Sequence, residues 1–219
     1  MIRALYERYL LNQINGMQGQ IPEHITMILS ESDLLDDSGK EKLGAFLKWC
    51  FALEIKIISI YVDVLDVKEE AKTKIVSLLL DELKEIMAPL PENVGFDIYN
   101  EKGELIENKV GDTHRVHFSV GFGGKNEITK AITSILHDVK DERLRPADID
   151  ENTIESHLTV REEPDIIIRA GGKHLSNFLL WQSAYSELYF TDVNWHGLRR
   201  MDILRIIRDY QKRQRRFGK

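Results

Sequence analysis

Residues 165–192 read Asp165-Ile-Ile-Ile-Arg-Ala-Gly-Gly-Lys-His-Leu-Ser-Asn-Phe-Leu-Leu-Trp-Gln-Ser-Ala-Tyr-Ser-Glu-Leu-Tyr-Phe-Thr-Asp192. Three consecutive isoleucines make an apolar run of strand length that ends on Arg169. Gly171 and Gly172 follow, then Lys173, His174 and Ser176. From about Ser176 the aromatic-rich continuation through Phe190 is expected to be a helix. A strand that delivers a guanidinium, glycines that let backbone N–H groups approach an anion, and a serine at a helix start are the parts of a phosphate pocket. Arg169, Gly171, Gly172, Lys173 and Ser176 are therefore the expected binding residues.

Upstream, strand-like and helix-like segments alternate. Ile2, Leu5, Tyr6, Tyr9 and Leu10 recur at helical spacing. The run His24–Leu29 reads as a strand and is followed by the polar patch Ser30-Glu-Ser-Asp33. A helix is expected from about Ser38, with Ser38 as N-cap and Glu41 as its capping-box partner. Further strands are expected at 56–62, 94–99 and 115–120, and helices at 68–87, 126–139 and 151–158, before a basic C-terminal helix. The polar, turn-rich segment 100–111 is expected to be a mobile loop. Alternation of this kind predicts an α/β fold with a mostly parallel central sheet flanked by helices. With 219 residues, one domain spanning 1–219 is expected.

Composition narrows the function classes. Hydrophobic residues make up 42% and charged residues 30% of the chain, as in ordinary globular proteins. The net charge is -6, which argues against general nucleic-acid binding, although Arg199, Arg200, Arg205, Arg208, Arg213, Arg215 and Arg216 crowd the end. Cys50 is the single cysteine, so no intrachain disulfide is available. No apolar run reaches the ~18 residues of a transmembrane helix. A cytoplasmic location, with peripheral contact to a membrane, is the expectation.

The segment 165–192 closely resembles the isoprenyl-diphosphate signature of cis-prenyltransferases, the undecaprenyl and dehydrodolichyl diphosphate synthase family. Phe122-Gly-Gly-Lys-Asn-Glu-Ile128 is similar to the family's Tyr-Gly-Gly-Arg-x-Glu-Ile turn, and the ending Arg215-Arg-Phe-Gly218 to its terminal Arg-Arg-Phe-Gly. The resemblance implies that Arg169 and Ser176 hold the diphosphate of isopentenyl diphosphate. It implies that Arg216 and Gly218 complete the same site across a dimer interface. It places Trp181, Tyr185, Glu187 and Tyr189 at that interface, with Glu187 and His174 near a Mg²⁺ site. The family usually has one more residue after the glycines, a second arginine. Either Lys173 substitutes for it or the pocket is weakened, because an ammonium offers no bidentate fork.

The first half departs further. The family opens with a strand and then Met-Asp-Gly-Asn-Gly/Arg-Arg-Trp-Ala, whose aspartate governs departure of the allylic diphosphate. Here Ser30 stands at the aspartate, Glu31 at the glycine, and the chain is about a dozen residues short before Gly39. No catalytic residue is therefore assigned. The resemblance implies a non-catalytic, Nogo-B-receptor-like subunit of a heteromeric cis-prenyltransferase. Its complex would make long polyprenyl diphosphates for carrier lipids such as dolichol. Its partner would be a catalytic subunit, Mg²⁺ would serve the complex, and a homodimer is expected when it is alone. The alternative is a divergent homodimeric prenyltransferase active alone on short prenyl diphosphates, with Glu31 or Asp33 replacing the aspartate. A third alternative is a binding protein for prenyl diphosphates or nucleic acid.

Overall fold

The computed structural model describes residues 2–17, 20–65, 68–172 and 180–213. Its strands are β1 (His24–Ser30), β2 (Ile57–Asp63), β3 (Val94–Tyr99), β4 (Leu105–Lys109), β5 (His114–Val120), β6 (Ile166–Ala170) and β7 (Glu187–Thr191). Between and around them lie α1 (Ile2–Gly16), α2 (Asp37–Phe51), α3 (Glu69–Met87), α4 (Gly124–Lys140), α5 (Glu151–Ser156) and α6 (Arg200–Lys212). The strands form one sheet in the order β4-β3-β5-β2-β1-β6-β7. Every pairing is parallel except that of β3 with β4. The expected α/β architecture, a mostly parallel sheet flanked by helices, is the observed one.

The two faces of the sheet differ in chemistry. Residues in register on parallel neighbours share a face. Phe118, Ile60, Met27 and Ile168 make one row across β5, β2, β1 and β6, and all are buried. That face forms the main core with Leu10 of α1, Phe46 of α2, Leu79 of α3 and Ile203 of α6. Each such aliphatic or aromatic side chain contributes about 1.5–3 kcal/mol on burial. The opposite face is mixed. One row there holds Asp97, His117, Ser59, Thr26 and Ile167, and the next holds Tyr99, Ser119, Tyr61, Ile28 and Arg169. Beyond them, Ser30 stands in register with Asp63.

Three expectations need correction. The α2 N-cap is Asp36, not Ser38, and its Oδ1 accepts from Gly39 N at 2.7 Å. Asp caps as well as Ser, and starting two residues earlier puts Asp37 in the first turn, where the dipole favours it. Gly39 itself is obligatory, since a Cβ there would lie 1.8 Å from the Asp33 carbonyl oxygen. The segment 100–111 is no loop but contains β4, antiparallel to β3. Asn100 Oδ1 accepts from Lys102 N and Glu104 N at 3.0 and 2.9 Å. Gly103, at φ 66°, then turns the chain against the Phe122 ring. Lastly, the expected helix through 181–190 gives way to a turn and β7. Glu187-Leu-Tyr-Phe-Thr191 alternates half-buried and exposed positions, a period of two that suits a sheet edge.

Candidate functional site

The carboxyl ends of β1, β2, β5 and β6 open onto a cavity of about 500 Å³. β1 pairs with β2 on one side and β6 on the other, so the chain reverses its direction of sheet growth here. Crevices at such switch points are the usual ligand sites of open parallel sheets. Ser30 and Glu31 come from the end of β1, Tyr61 and Asp63 from β2, and Arg169 from β6. Gly121 and Gly123 belong to the turn from β5 into α4, Asn126 to the first turn of α4, and Lys72 to the first turn of α3.

Arg169 lines the cavity from the end of β6. Its Nε and Nη1 are buried and have no hydrogen-bond partner among the described residues. A buried unsatisfied donor costs roughly 1–3 kcal/mol, so this arrangement persists at the expense of stability. Gly172 leaves it room, because a Cβ there would sit 3.0 Å from Arg169 Nε and push the side chain aside by a few tenths of an ångström. Gly171 has a different task. Its φ is 66°, and its N–H is used by the carbonyls of Thr191 and Val193, both at 3.0 Å. The expectation that both glycines aim N–H groups at an anion is thus corrected for Gly171, which secures the β6–β7 connection. The N-cap of the long helix α4, Gly123, faces the cavity and adds the positive end of a helix dipole.

Carboxylates enter the cavity from the turn after β1 and from the end of β2. Glu31 is 8% exposed and lines it, as does Asp63. Asp33 does not serve there: its Oδ2 accepts from Ser30 N and Ser30 Oγ at 2.8 and 2.7 Å. Burial, helped by Asp63 and opposed by Arg169, pushes the Tyr61 hydroxyl above its ordinary pKa and keeps it protonated. Two carboxylates beside a space for phosphate oxygens match how Mg²⁺ is commonly held. Among the described residues, no group of three or more His, Cys, Asp or Glu forms a complete metal cage. Any ion here would depend on ligand oxygens as well.

On the same sheet face, toward the amino ends of the strands, His24 is 2% exposed and places Nε2 2.8 Å from Ser59 Oγ. Burial, reinforced by nearby His117, lowers its pKa to about 4.

The remaining expected site residues divide into two groups. Lys173, His174, Ser176, Arg216 and Gly218 lie outside the described residues. Glu187 sits on β7 rather than on a helix, and it is ion-paired with Arg213. The Arg213 guanidinium also stacks over Tyr189, 4.8 Å from the ring centre. These contacts clamp the end of α6 onto the sheet edge. Trp181 is partly buried and donates its Nε1–H to Glu155 Oε1 at 3.3 Å, while Tyr185 is exposed. Lys72, Tyr61, Asp63 and Asn126 were missed. Strand-end position was the available signal for Tyr61 and Asp63. Nothing local marks Lys72, which reaches the cavity only because α3 crosses the sheet.

Comparison with known proteins places the chain among prenyltransferase relatives. Residues 87–218 match the family described as "Putative undecaprenyl diphosphate synthase". The chain is 34% identical to a tritrans,polycis-undecaprenyl-diphosphate synthase (geranylgeranyl-diphosphate specific) of Pyrococcus abyssi, covering 98% of this chain and 93% of that one. It is 33% identical to isoprenyl transferase 1 of Corynebacterium efficiens, covering 100% and 98%. Its fold matches lavandulyl diphosphate synthase from Lavandula x intermedia, solved with dimethylallyl diphosphate. There the TM-score is 0.74 and the identity 25%, over 91% of this chain and 99% of that one.

Proposed function

The chain belongs to the cis-prenyltransferase family of undecaprenyl diphosphate synthase relatives, and from that premise we propose that it is a divergent synthase. It joins isopentenyl diphosphate to a short allylic diphosphate and works as a homodimer. One observation carries this reading: the strand-end cavity is lined by Arg169, two of whose buried nitrogens have no partner among the described residues, by Lys72, and by the carboxylates of Glu31 and Asp63. Relatives named as a synthase and as an isoprenyl transferase, matched over 93% and 98% of their own lengths, favour it over the non-catalytic subunit that the first half of the sequence suggested.

In this reaction the allylic carbon–oxygen bond breaks, a carbon–carbon bond forms to isopentenyl diphosphate, and a proton leaves the new chain. Diphosphate departs with the electrons of the broken bond, so positive charge aimed at its oxygens lowers the barrier. Lys72 and the amino end of α4 supply that charge, while Arg169 holds the diphosphate of isopentenyl diphosphate, which stays on the product. A Mg²⁺ held by Glu31 and Asp63 together with diphosphate oxygens would neutralise the leaving group. Glu31 thereby takes over from the family's aspartate, whose position Ser30 fills; Asp33 is committed to Ser30.

The edge strand β7 supports a dimer. Leu188 and Phe190 are 38% and 45% exposed, and Phe190 is in register with Arg169. A second chain covering them would lie beside the cavity. On α1, Ile2, Leu5 and Tyr9 are exposed on one helical face next to Arg3 and Arg8. That surface suits contact with an anionic membrane. No helix among the described residues is long and apolar enough to cross one.

Ser30 favours one second reading, the regulatory subunit that completes a catalytic partner. Prenyl transfer from labelled isopentenyl diphosphate to farnesyl diphosphate with Mg²⁺ separates the two. Turnover by the purified chain alone supports the synthase. Turnover only after mixing with a family member that retains the aspartate supports the regulatory subunit instead.

A further inference from the structure

The loop 192–198 joins β7 to α6 and is bonded to two elements near the strand-end cavity, the end of β6 and the start of α2. On the β6 side the Gly171 N–H, two residues after Arg169, donates to the Val193 carbonyl at 3.0 Å. The backbones are so close that a Cβ on Gly171 would lie 3.3 Å from Asn194 Cα. On the α2 side the loop is held at three points. The Trp195 Nε1–H donates to the Gly39 carbonyl at 3.1 Å, His196 Nε2 lies 3.2 Å from Asp36 Oδ1, and Lys42 Nζ donates to the Leu198 carbonyl at 2.7 Å. Residues 36, 39 and 42 are spaced by three, so each neighbours the next on the helix surface.

The α2 end of this contact leads to Glu31. Gly39 is pressed against Asp33, whose carbonyl oxygen would lie 1.8 Å from a Cβ there. Asp33 closes the short turn Glu31–Asp33, and Leu34 N donates back to the Glu31 carbonyl at 3.2 Å. A displacement of Gly39 is therefore passed to the turn that carries Glu31. Trp195 is the firmest point of the loop. It is fully buried and meets the Phe46 ring edge to face, 5.9 Å between centres. Its N–H would lose its partner if α2 moved, and an unfilled buried donor is costly. The His196–Asp36 pair is more exposed and holds less firmly.

We propose that Trp195 is a positioning residue: through Gly39 and the Glu31–Asp33 turn it sets where Glu31 stands relative to Arg169. Under the proposed function Glu31 serves the metal on the departing diphosphate and Arg169 holds isopentenyl diphosphate, so the loop sets the gap between the two substrates. The proposal rests on the diphosphate-binding reading of the cavity, but not on which subunit type the chain is. Misplacing a reacting group by about 1 Å costs up to about 100-fold.

The test titrates inorganic pyrophosphate with Mg²⁺ by calorimetry into the wild type, Trp195→Phe, Glu31→Gln and the double variant. Phenylalanine keeps a ring against Phe46 and deletes the N–H. Trp195→Phe should weaken pyrophosphate binding by about fivefold or more in the wild-type background, but by less than about twofold in Glu31→Gln, where the carboxylate it positions is already gone. Where the wild type turns over, Trp195→Phe should lower kcat by a larger factor than it raises either KM, since substrate spacing matters most in the transition state. A lowered melting temperature with wild-type pyrophosphate affinity would reduce Trp195 to a core residue and overturn the proposal. Equal losses in both backgrounds would overturn it too, because the effect would then not pass through Glu31. If Trp195→Phe fails to fold, His196→Ala on the exposed side of the loop decides by the same comparison. Wild-type protein that binds pyrophosphate but lacks turnover sinks the synthase and leaves this test intact; wild-type protein that binds no pyrophosphate sinks both.

Discussion

Replacing Arg169 by methionine should make the ligand-free protein more stable and the liganded protein weaker. Methionine keeps the length and apolar stem but removes the two buried nitrogens that lack partners. Each unsatisfied donor costs roughly 1–3 kcal/mol, of which the half-buried position of Arg169 leaves only part. A net gain of about 1–2 kcal/mol is expected, which for a chain of this size is a rise of about 2–8 °C in Tm. Against that, hydrogen bonds from an ionised donor to a phosphate oxygen contribute about 1.5–3 kcal/mol each, so losing two should weaken pyrophosphate binding by at least about 100-fold. Arg169→Lys should fall between the two, retaining charge without the fork. Thermal unfolding without ligand and calorimetric titration with pyrophosphate and Mg²⁺ measure both sides. A variant that is less stable without ligand and binds pyrophosphate as the wild type does would show that Arg169 is a structural cation, and the cavity would lose its ligand.

Other sites give independent checks. Glu31→Gln should lower kcat by about 100-fold or more if its carboxylate has taken over the metal-linked role, with little change in folding; unchanged turnover would return that role to an unidentified group. His24 has a folded pKa of about 4 against an ordinary 6.5, so its contribution is complete above pH 6.5 and drains as pH falls toward 4. Stability should drop by up to about 3 kcal/mol across that window from this group. Denaturant titrations at pH 7 and pH 4.5 should show a smaller drop in His24→Gln than in the wild type. Phe190→Glu on β7 should convert a sedimenting dimer to monomer, and a variant that stays dimeric would move the interface elsewhere.

Much of the architecture could be read from local signals. The strand runs at 24–29, 56–62 and 166–168 are apolar and short, and the helices between them carry caps and helical periodicity. Where reading failed, a longer-range contact decided. Segment 100–111 looks like a loop because its charges are exposed, yet Asn100 bonds the turn and β3 supplies a partner strand. Aromatic density at 181–190 suggested a helix, but the free edge of β6 captured Glu187–Thr191 as a strand. Within the site, Arg169 was legible because strand and glycines flank it. Glu31 was noticed only as a residue of the wrong sign. Lys72 gave no local sign of its task, since it reaches the cavity through a crossing that exists only in three dimensions.

The acidic run 31–37 illustrates how far a sequence reading of charge can mislead, and it leads to a last prediction. As a string, Glu31, Asp33, Asp36 and Asp37 look fit to repel a diphosphate. In the fold, Asp33 is spent on Ser30, Asp37 pairs with Lys40, and Asp36 caps α2. The Gly39 N–H, with His196 and Ser38, holds the Asp36 carboxyl below the usual range, so it stays an acceptor at the helix start. Only Glu31 reaches the cavity. There, Glu31 and Asp63 balance Lys72 and Arg169, leaving a formal charge near zero among these lining side chains. A diphosphate brings about three negative charges at neutral pH, more than a balanced cavity and one helix end can offset. Binding should therefore depend steeply on a divalent cation, more than in a site built from several arginines. Pyrophosphate titrated with Mg²⁺ and then with excess EDTA should bind at least about tenfold more weakly in the second case. Glu31→Gln should shrink that Mg²⁺ dependence, because it removes one of the two carboxylates that call for the metal. Equal affinity with and without the ion would mean that positive groups beyond Arg169 and Lys72 complete the site.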